Sequence, residues 1–368
     1  MRYPPRVKSS PLRSVHAAAG AVLTPPERGG TLLTYGDVPG EYRAGVEACL
    51  LFDATTRGAL AVRGGDAESF LHRILANTIK GLAPGDGNRN LLLSAKGKVL
   101  HDFGLTREEA GFFLSTPAGH ADDLRGALDV FLFADAVEFE ELTESHAPLE
   151  LCGPTSDAVA RAVLEGELPD APHRRATLAH GGAPVTVERL PIAGSPGLRL
   201  DAGPDHAHAL WSALVAAGAR PAGLVARDSL RVEACRARWG QDVDDGIYPQ
   251  EARLDDAFSL DKGCYIGQEV VAKIDTYGGL NKCLFPLRID HDDPVAAGTR
   301  LMREEHGEWR DLGVVTSWAY SFALDTGLVL GYVKRKHQAP GTVFRLGDGA
   351  STATLLEPPV RAGVTSAG

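Results

Sequence analysis

Apolar positions recur along this chain with two periods, and the alternation between them sets the expected elements. Residues 37–49 predict a short helix with Pro39 in its first turn, where a missing N–H is harmless. Residues 50–53 and 59–63 predict strands around the turn Thr55-Thr56-Arg57. Asp66 precedes Phe70, Leu71, Ile74 and Leu75 at helical spacing, which predicts a helix that Asp66 caps. Pro84-Gly85-Asp86-Gly87 is a turn, and residues 90–94 and 99–105 predict a hairpin about Lys96-Gly97.

The second half of the chain starts in the same style. Residues 154–164 have a helical pattern, and 184–190 and 197–200 predict strands. Asp205 is placed to cap a helix burying Leu210, Trp211, Leu214 and Val215. A helix over about 224–235 carries Arg227 and Arg231 on one face, with Asp228 and Arg231 three apart and able to pair. Strand pairs alternating with helices predict α+β layers rather than a parallel sheet. After Lys282 the texture changes. Apolar runs at 283–289, 312–317, 327–333 and 342–346, broken by Gly and Pro, predict a small antiparallel barrel or sandwich. The first 30 residues have no acid before Glu27 and contain Pro4, Pro5 and Pro11, which predicts a tail without fixed structure.

Composition narrows the function classes. A chain of 368 residues is long for one core. A net charge of −10 argues against a broad grip on nucleic acid. No apolar run reaches the roughly 18 residues that span a bilayer. Cys49, Cys152, Cys235, Cys264 and Cys283 are odd in number and widely spaced, with no Cys-x-x-Cys pair and no zinc-finger cluster. Reduced thiols in a cytoplasmic protein are the simplest reading, and no metal site of its own is expected.

Three segments carry candidate chemistry. In Asp261-Lys262-Gly263-Cys264-Tyr265-Ile266-Gly267-Gln268-Glu269 a thiol lies between a lysine and a predicted helix start, both of which favour a thiolate. The alternative is a cysteine that merely packs in a turn. In Ser94-Ala95-Lys96-Gly97-Lys98-Val99-Leu100-His101-Asp102 two lysines on a turn are suited to a carboxylate or phosphate, and His101 or Asp102 to moving a proton; a solvated turn is the plainer reading. Arg227 is either part of a salt-bridged surface helix or a cation facing an anionic ligand.

Taken together, these segments resemble the folate-binding superfamily of the glycine-cleavage T-protein, an aminomethyltransferase, and most closely its YgfZ branch, implicated in iron–sulfur cluster assembly and repair. Residues 35–43 and Leu51-Phe52-Asp53 look like its N-terminal signature, and 223–234 like its central helix. Residues 262–269 look like the YgfZ motif, and the final β region like the T-protein barrel. The resemblance implies a three-domain ring around a central cavity. It would comprise a tail (1–30), two α+β domains (31–130 and 131–280), an antiparallel β-barrel (281–358) and a second tail (359–368).

It further implies tetrahydrofolate as ligand and iron–sulfur client or assembly proteins as partners. Cys264 would be a reactive thiol or transient cluster ligand, with Lys262 beside it. Arg227, Lys96, Lys98, Tyr265, Gln268 and Glu269 would bind the folate. Two alternatives stand beside this reading. One is a tetrahydrofolate-dependent aminomethyltransferase or demethylase in which Asp102 or His101 handles the proton at the folate nitrogen, and the other a non-catalytic folate-binding scaffold. The transferase branch has a paired-aspartate turn and a pterin-holding glutamate. Here Asp102 stands without a second acid, and the stretch Ala193-Gly194-Ser195-Pro196-Gly197 contains no glutamate.

Overall fold

A computed structural model describes residues 7–25 and 30–361. Period-two alternation builds the main sheet. In strands Pro148–Cys152, Ala183–Ile192 and Ser195–Asp201 an aliphatic residue recurs at every second position over 149–151, 185–187 and 198–200. Leu149, Leu151, Val185, Val187, Leu198 and Leu200 are fully buried and pack with Leu210, Trp211 and Leu214 of helix Pro204–Ala216. Truncating one of these leucines to alanine costs about 2–5 kcal/mol. The residues between them turn the other way. Arg199 is the direct cross-strand partner of both Glu150 and Glu188, forming a column of charges on the opposite face.

The layers are α+β, as the alternation implies, and the chain packs as two compact units. The first comprises Met1–Leu92 and His101–Ala226, the second Leu93–Leu100 and Arg227–Gly368. The six-stranded sheet of the first unit runs Arg175–His180, Ala183–Ile192, Ser195–Asp201, Pro148–Cys152, Leu50–Asp53, Arg220–Pro221. Its last pairing is parallel, and the other described pairings are antiparallel. A five-stranded sheet runs Gly87–Leu93, Val99–Glu108, Gly111–Thr116, Gly58–Arg63, Glu138–Glu141. The predicted hairpin is its first pair of strands, and the tip of that hairpin belongs to the second unit.

In the second unit the texture change at Lys282 marks a closed six-stranded antiparallel barrel. Leu287, Leu301, Val329, Val333 and Leu355 fill it. Two of its strands, Arg300–Glu305 and Thr352–Leu355, were not among the four runs expected from the sequence. Arg300–Glu305 sends only Leu301 into the core, too little to show as an apolar run. Helix Leu224–Glu233 leads into this unit through a buried network. Arg231 binds Asp228 at 3.0 Å, Asp242 at 2.7 Å and Ser317 Oγ at 3.0 Å, and Asp242 is fully buried.

Several local expectations need correction. The stretch before residue 31 is not a featureless tail: Arg13–Ala18 is helical, and Val22–Leu23 pairs with Leu32–Thr34. Leu12 is buried in the core of the first unit. His16, also buried, bridges Asp53 (Nε2 to Oδ2, 2.8 Å) and the Tyr35 hydroxyl (2.7 Å). Partners this remote in sequence explain why the composition of the stretch pointed the other way. Residues 1–6, 26–29 and 362–368 lie outside the described residues. Asp66 precedes its helix but makes no cap; its carboxylate accepts from the Ala136 amide at 2.8 Å instead. Asp205 sits inside the first turn behind Gly203, and Val215 is exposed.

Candidate functional site

In the second unit the structure brings two of the three candidate segments together. The hairpin tip is a tight turn: Gly97 N–H donates to Ser94 O at 2.8 Å, and Ser94 N–H to Lys98 O at 2.9 Å. Gly97 takes φ +73°. This turn lies on the start of helix Gln268–Tyr277, whose N-cap is Gly267 at φ +80°. A Cβ on Gly267 would stand 2.5 Å from Ser94 O and 2.9 Å from Gly97 Cα, and one on Gly97 would stand 3.0 Å from Val270 Cβ. The two backbones touch because neither residue has a side chain.

Lys98 and Lys96 part company at this tip. Lys98 turns inward. Its ammonium sits 3.1 Å over the Tyr248 ring centroid and 3.6 Å from Glu251 Oε2. Burial lowers its pKa, and Glu251 works against that. Lys98 is thus occupied by the protein itself, whereas Lys96 is exposed.

The motif segment lies beside the tip. Cys264 is exposed, three residues before the helix N-cap. Lys262 is half-buried, 5.3 Å from the Tyr265 ring centroid, and burial lowers its pKa to about 8. Tyr265 is buried, its hydroxyl has no hydrogen-bond partner, and burial pushes its pKa up to about 12. Gln268 opens the helix. Glu269 points to solvent and binds Lys273 one turn on at 2.6 Å, which holds its carboxyl below the usual range. Arg227 is half-buried in helix Leu224–Glu233. Among the described residues no group of three His, Cys, Asp or Glu side chains is placed to hold a metal ion.

Asp102 belongs to the first unit. The guanidinium of Arg89 grips it with two bonds, Nε to Oδ1 at 2.9 Å and Nη2 to Oδ2 at 2.5 Å. A carboxylate held this way is an oriented acceptor.

The first unit also has a shallow polar cleft that the sequence did not reveal, lined by Arg57, Phe113, Arg175, Glu188, Arg199 and Asp201. The charge column lies on one side of it. Arg199, 11 % exposed, binds Glu150 at 2.8 Å and Glu188 at 3.1 Å. His146 binds Asp201. Burial works against the Asp201 charge, yet His146 and the amides of Ala147 and Gly203 hold its carboxyl below the usual range. Phe113 forms an aromatic wall, with the Arg175 guanidinium 4.0 Å over its ring. The available signal was charge at alternate positions of predicted strands, at 188 and 199. Alternation alone does not separate a solvent face from a polar face turned inward.

The comparisons with known proteins agree with this architecture. Residues 13–262 match the GCVT N-terminal domain, and 282–360 the glycine cleavage T-protein C-terminal barrel domain. An aminomethyltransferase of Chlorobium limicola is 29% identical over 346 residues, 91% of this chain and 94% of that protein. One of Rubrobacter xylanophilus is 31% identical over 340 residues, 89% of this chain and 87% of that protein. The crystal structure of the glycine cleavage system aminomethyltransferase T from Bartonella henselae superposes with a TM-score of 0.81 at 25% identity, covering 97% of this chain and 98% of that one. The chain belongs to the glycine-cleavage T-protein family.

Proposed function

We propose that this protein binds a tetrahydrofolate and performs folate-dependent one-carbon transfer from an aminomethyl or N-methyl donor. The observation that carries the reading is the pairing of Asp102 with Arg89, a fixed carboxylate acceptor inside an architecture otherwise retained from end to end. The first unit's cleft supports the reading by the kind of groups that line it: the hydroxyls of Thr186 and Ser115, the guanidinium of Arg175, the aromatic wall of Phe113 and the carboxylate of Glu188, one oxygen of which Arg199 already binds. A bound tetrahydrofolate supplies the amine nitrogens that take up the one-carbon unit. Asp102 orients an N–H of the reacting amine and stabilises positive charge as it develops there; Arg89 holds that carboxylate in a single geometry. This is a cytoplasmic enzyme in our reading.

The test is a titration with tetrahydrofolate, followed by an assay for methylene-tetrahydrofolate with each donor class. Saturable binding and turnover are expected, and Asp102→Asn should lose about 10²-fold in kcat. Absence of product from both donor classes sinks the reading.

A second reading rests on Cys264, an exposed thiol on a segment braced by the hairpin tip. In it the protein is a folate-linked, YgfZ-type accessory factor for iron–sulfur proteins, with Cys264 as reactive thiol or one cluster ligand. The remaining ligands would come from a partner, a second protomer or a small thiol. A Cys264→Ser variant that fully restores iron–sulfur enzyme activity in a deletion strain rules it out.

A further inference from the structure

Arg175 lies in the first unit's cleft with most of its hydrogen-bonding capacity unspent. Its side chain is 11 % exposed and carries five N–H donors. One reaches an acceptor: Nη1 to Glu108 Oε1 at 3.4 Å, a long contact to a carboxylate that is 41 % exposed. The face of the guanidinium lies on Phe113, which satisfies no donor. The carboxylates nearest in charge are already taken, Glu188 by Arg199 and Asp201 by His146. Burial lowers the Arg175 pKa, with Glu188, Glu108 and Asp201 opposing it. A guanidinium this far withdrawn from solvent, with a single long contact among its five donors, has donors open to an acceptor that a ligand brings.

We infer that Arg175 is a specificity-determining residue that reads a carbonyl or oxyanion oxygen of a planar ligand entering this cleft. The inference rests on the tetrahydrofolate reading and names the atom class by which the ring is recognised. An oxygen satisfies spare donors of the fork. An amine in the same place sets donor against donor. Phe113 backs the guanidinium, so its plane is fixed before the ligand arrives.

The experiment compares tetrahydrofolate with its 4-amino-4-deoxy analogue, which replaces one ring carbonyl by an amine. Both are titrated calorimetrically into the full-length protein and into Arg175→Met and Arg175→Lys. The wild type is expected to prefer the oxo compound by about 10- to 100-fold, the range for a hydrogen bond to a charged group. Arg175→Met is expected to bring the preference below about 3-fold. Arg175→Lys keeps the charge but loses the fork, and should fall between. Equal binding of both compounds by the wild type overturns the Arg175 assignment and leaves the folate reading standing. Binding of neither overturns both. A preference that persists unchanged in Arg175→Met overturns the assignment. If the methionine variant does not fold, an unchanged preference in Arg175→Lys does so.

Discussion

Single residues here are defined by what burial does to their charge. Lys262 is the clearest case, its pKa lowered to about 8 by burial. In the unfolded chain the amine titrates near 10.5, so between pH 8 and 10.5 the unfolded state holds a proton that the folded state has released. Stability contributed at this site therefore rises with pH across that window, and below pH 8 the charged amine is a burden. Comparing urea unfolding of wild type and Lys262→Met at pH 7.5 and pH 10 isolates the effect. The wild type should gain about 1–2 kcal/mol relative to the variant, after discounting for solvent screening. A difference that does not move with pH contradicts the burial of this amine. Arg231 is the opposite case, a buried cation whose acceptors are all in place. Arg231→Met strands the fully buried Asp242 and should cost about 3–5 kcal/mol in equilibrium unfolding. Sequence spacing predicted the Asp228–Arg231 pair; it held no sign of Asp242 or Ser317, which arrive from other elements.

Elements meet here through glycine. The contact of Gly97 with Gly267 joins two segments about 170 positions apart in the chain, and both residues take positive φ. Gly267→Ala would combine left-handed strain with a Cβ 2.5 Å from Ser94 O. The expected loss is about 2–4 kcal/mol, read as a fall in melting temperature. Gly279→Ala, on the same segment with no atom near its Cβ position, is the matched control and should change little. The hairpin itself was legible from its alternation and its Lys-Gly turn. What it leans on was not, since a glycine's sequence neighbours do not reveal which backbone comes within contact distance. The same holds for helix starts. Asp66 and Asp205 are the right residue type in nearly the right place, yet Asp66 serves a distant amide and Gly203 takes the cap position.

For the molecule as a whole, the α+β layers and the barrel were readable because large apolar faces leave a periodic mark. The family resemblance was readable from residues 35–43 and 51–53, from the helix at 223–234 and from the final β region. The cleft of the first unit and the seating of the N-terminal stretch were not readable. Both depend on polar residues buried by partners from other strands. His16 shows the size of that effect. Without it, Asp53, at 7 % side-chain exposure, loses a hydrogen-bond partner. His16→Ala is expected to destabilise the protein by about 1–3 kcal/mol, measured by chemical denaturation, and an unchanged midpoint would show that the N-terminal stretch is not part of the core.

The hairpin whose strands lie mainly in the first unit and whose tip lies in the second makes each unit discontinuous in the chain. An excised piece beginning at residue 227 would retain the barrel and the Cys264 segment but leave behind residues 93–100. Ile247 O would lose the Val99 amide, Glu251 its lysine, and the cap of helix Gln268–Tyr277 the turn laid across it. No single cut in the polypeptide separates the two units intact. Recombination that exchanges whole modules therefore has no clean junction between them, and a protease nick in the eight-residue tip injures both halves of the fold at one stroke.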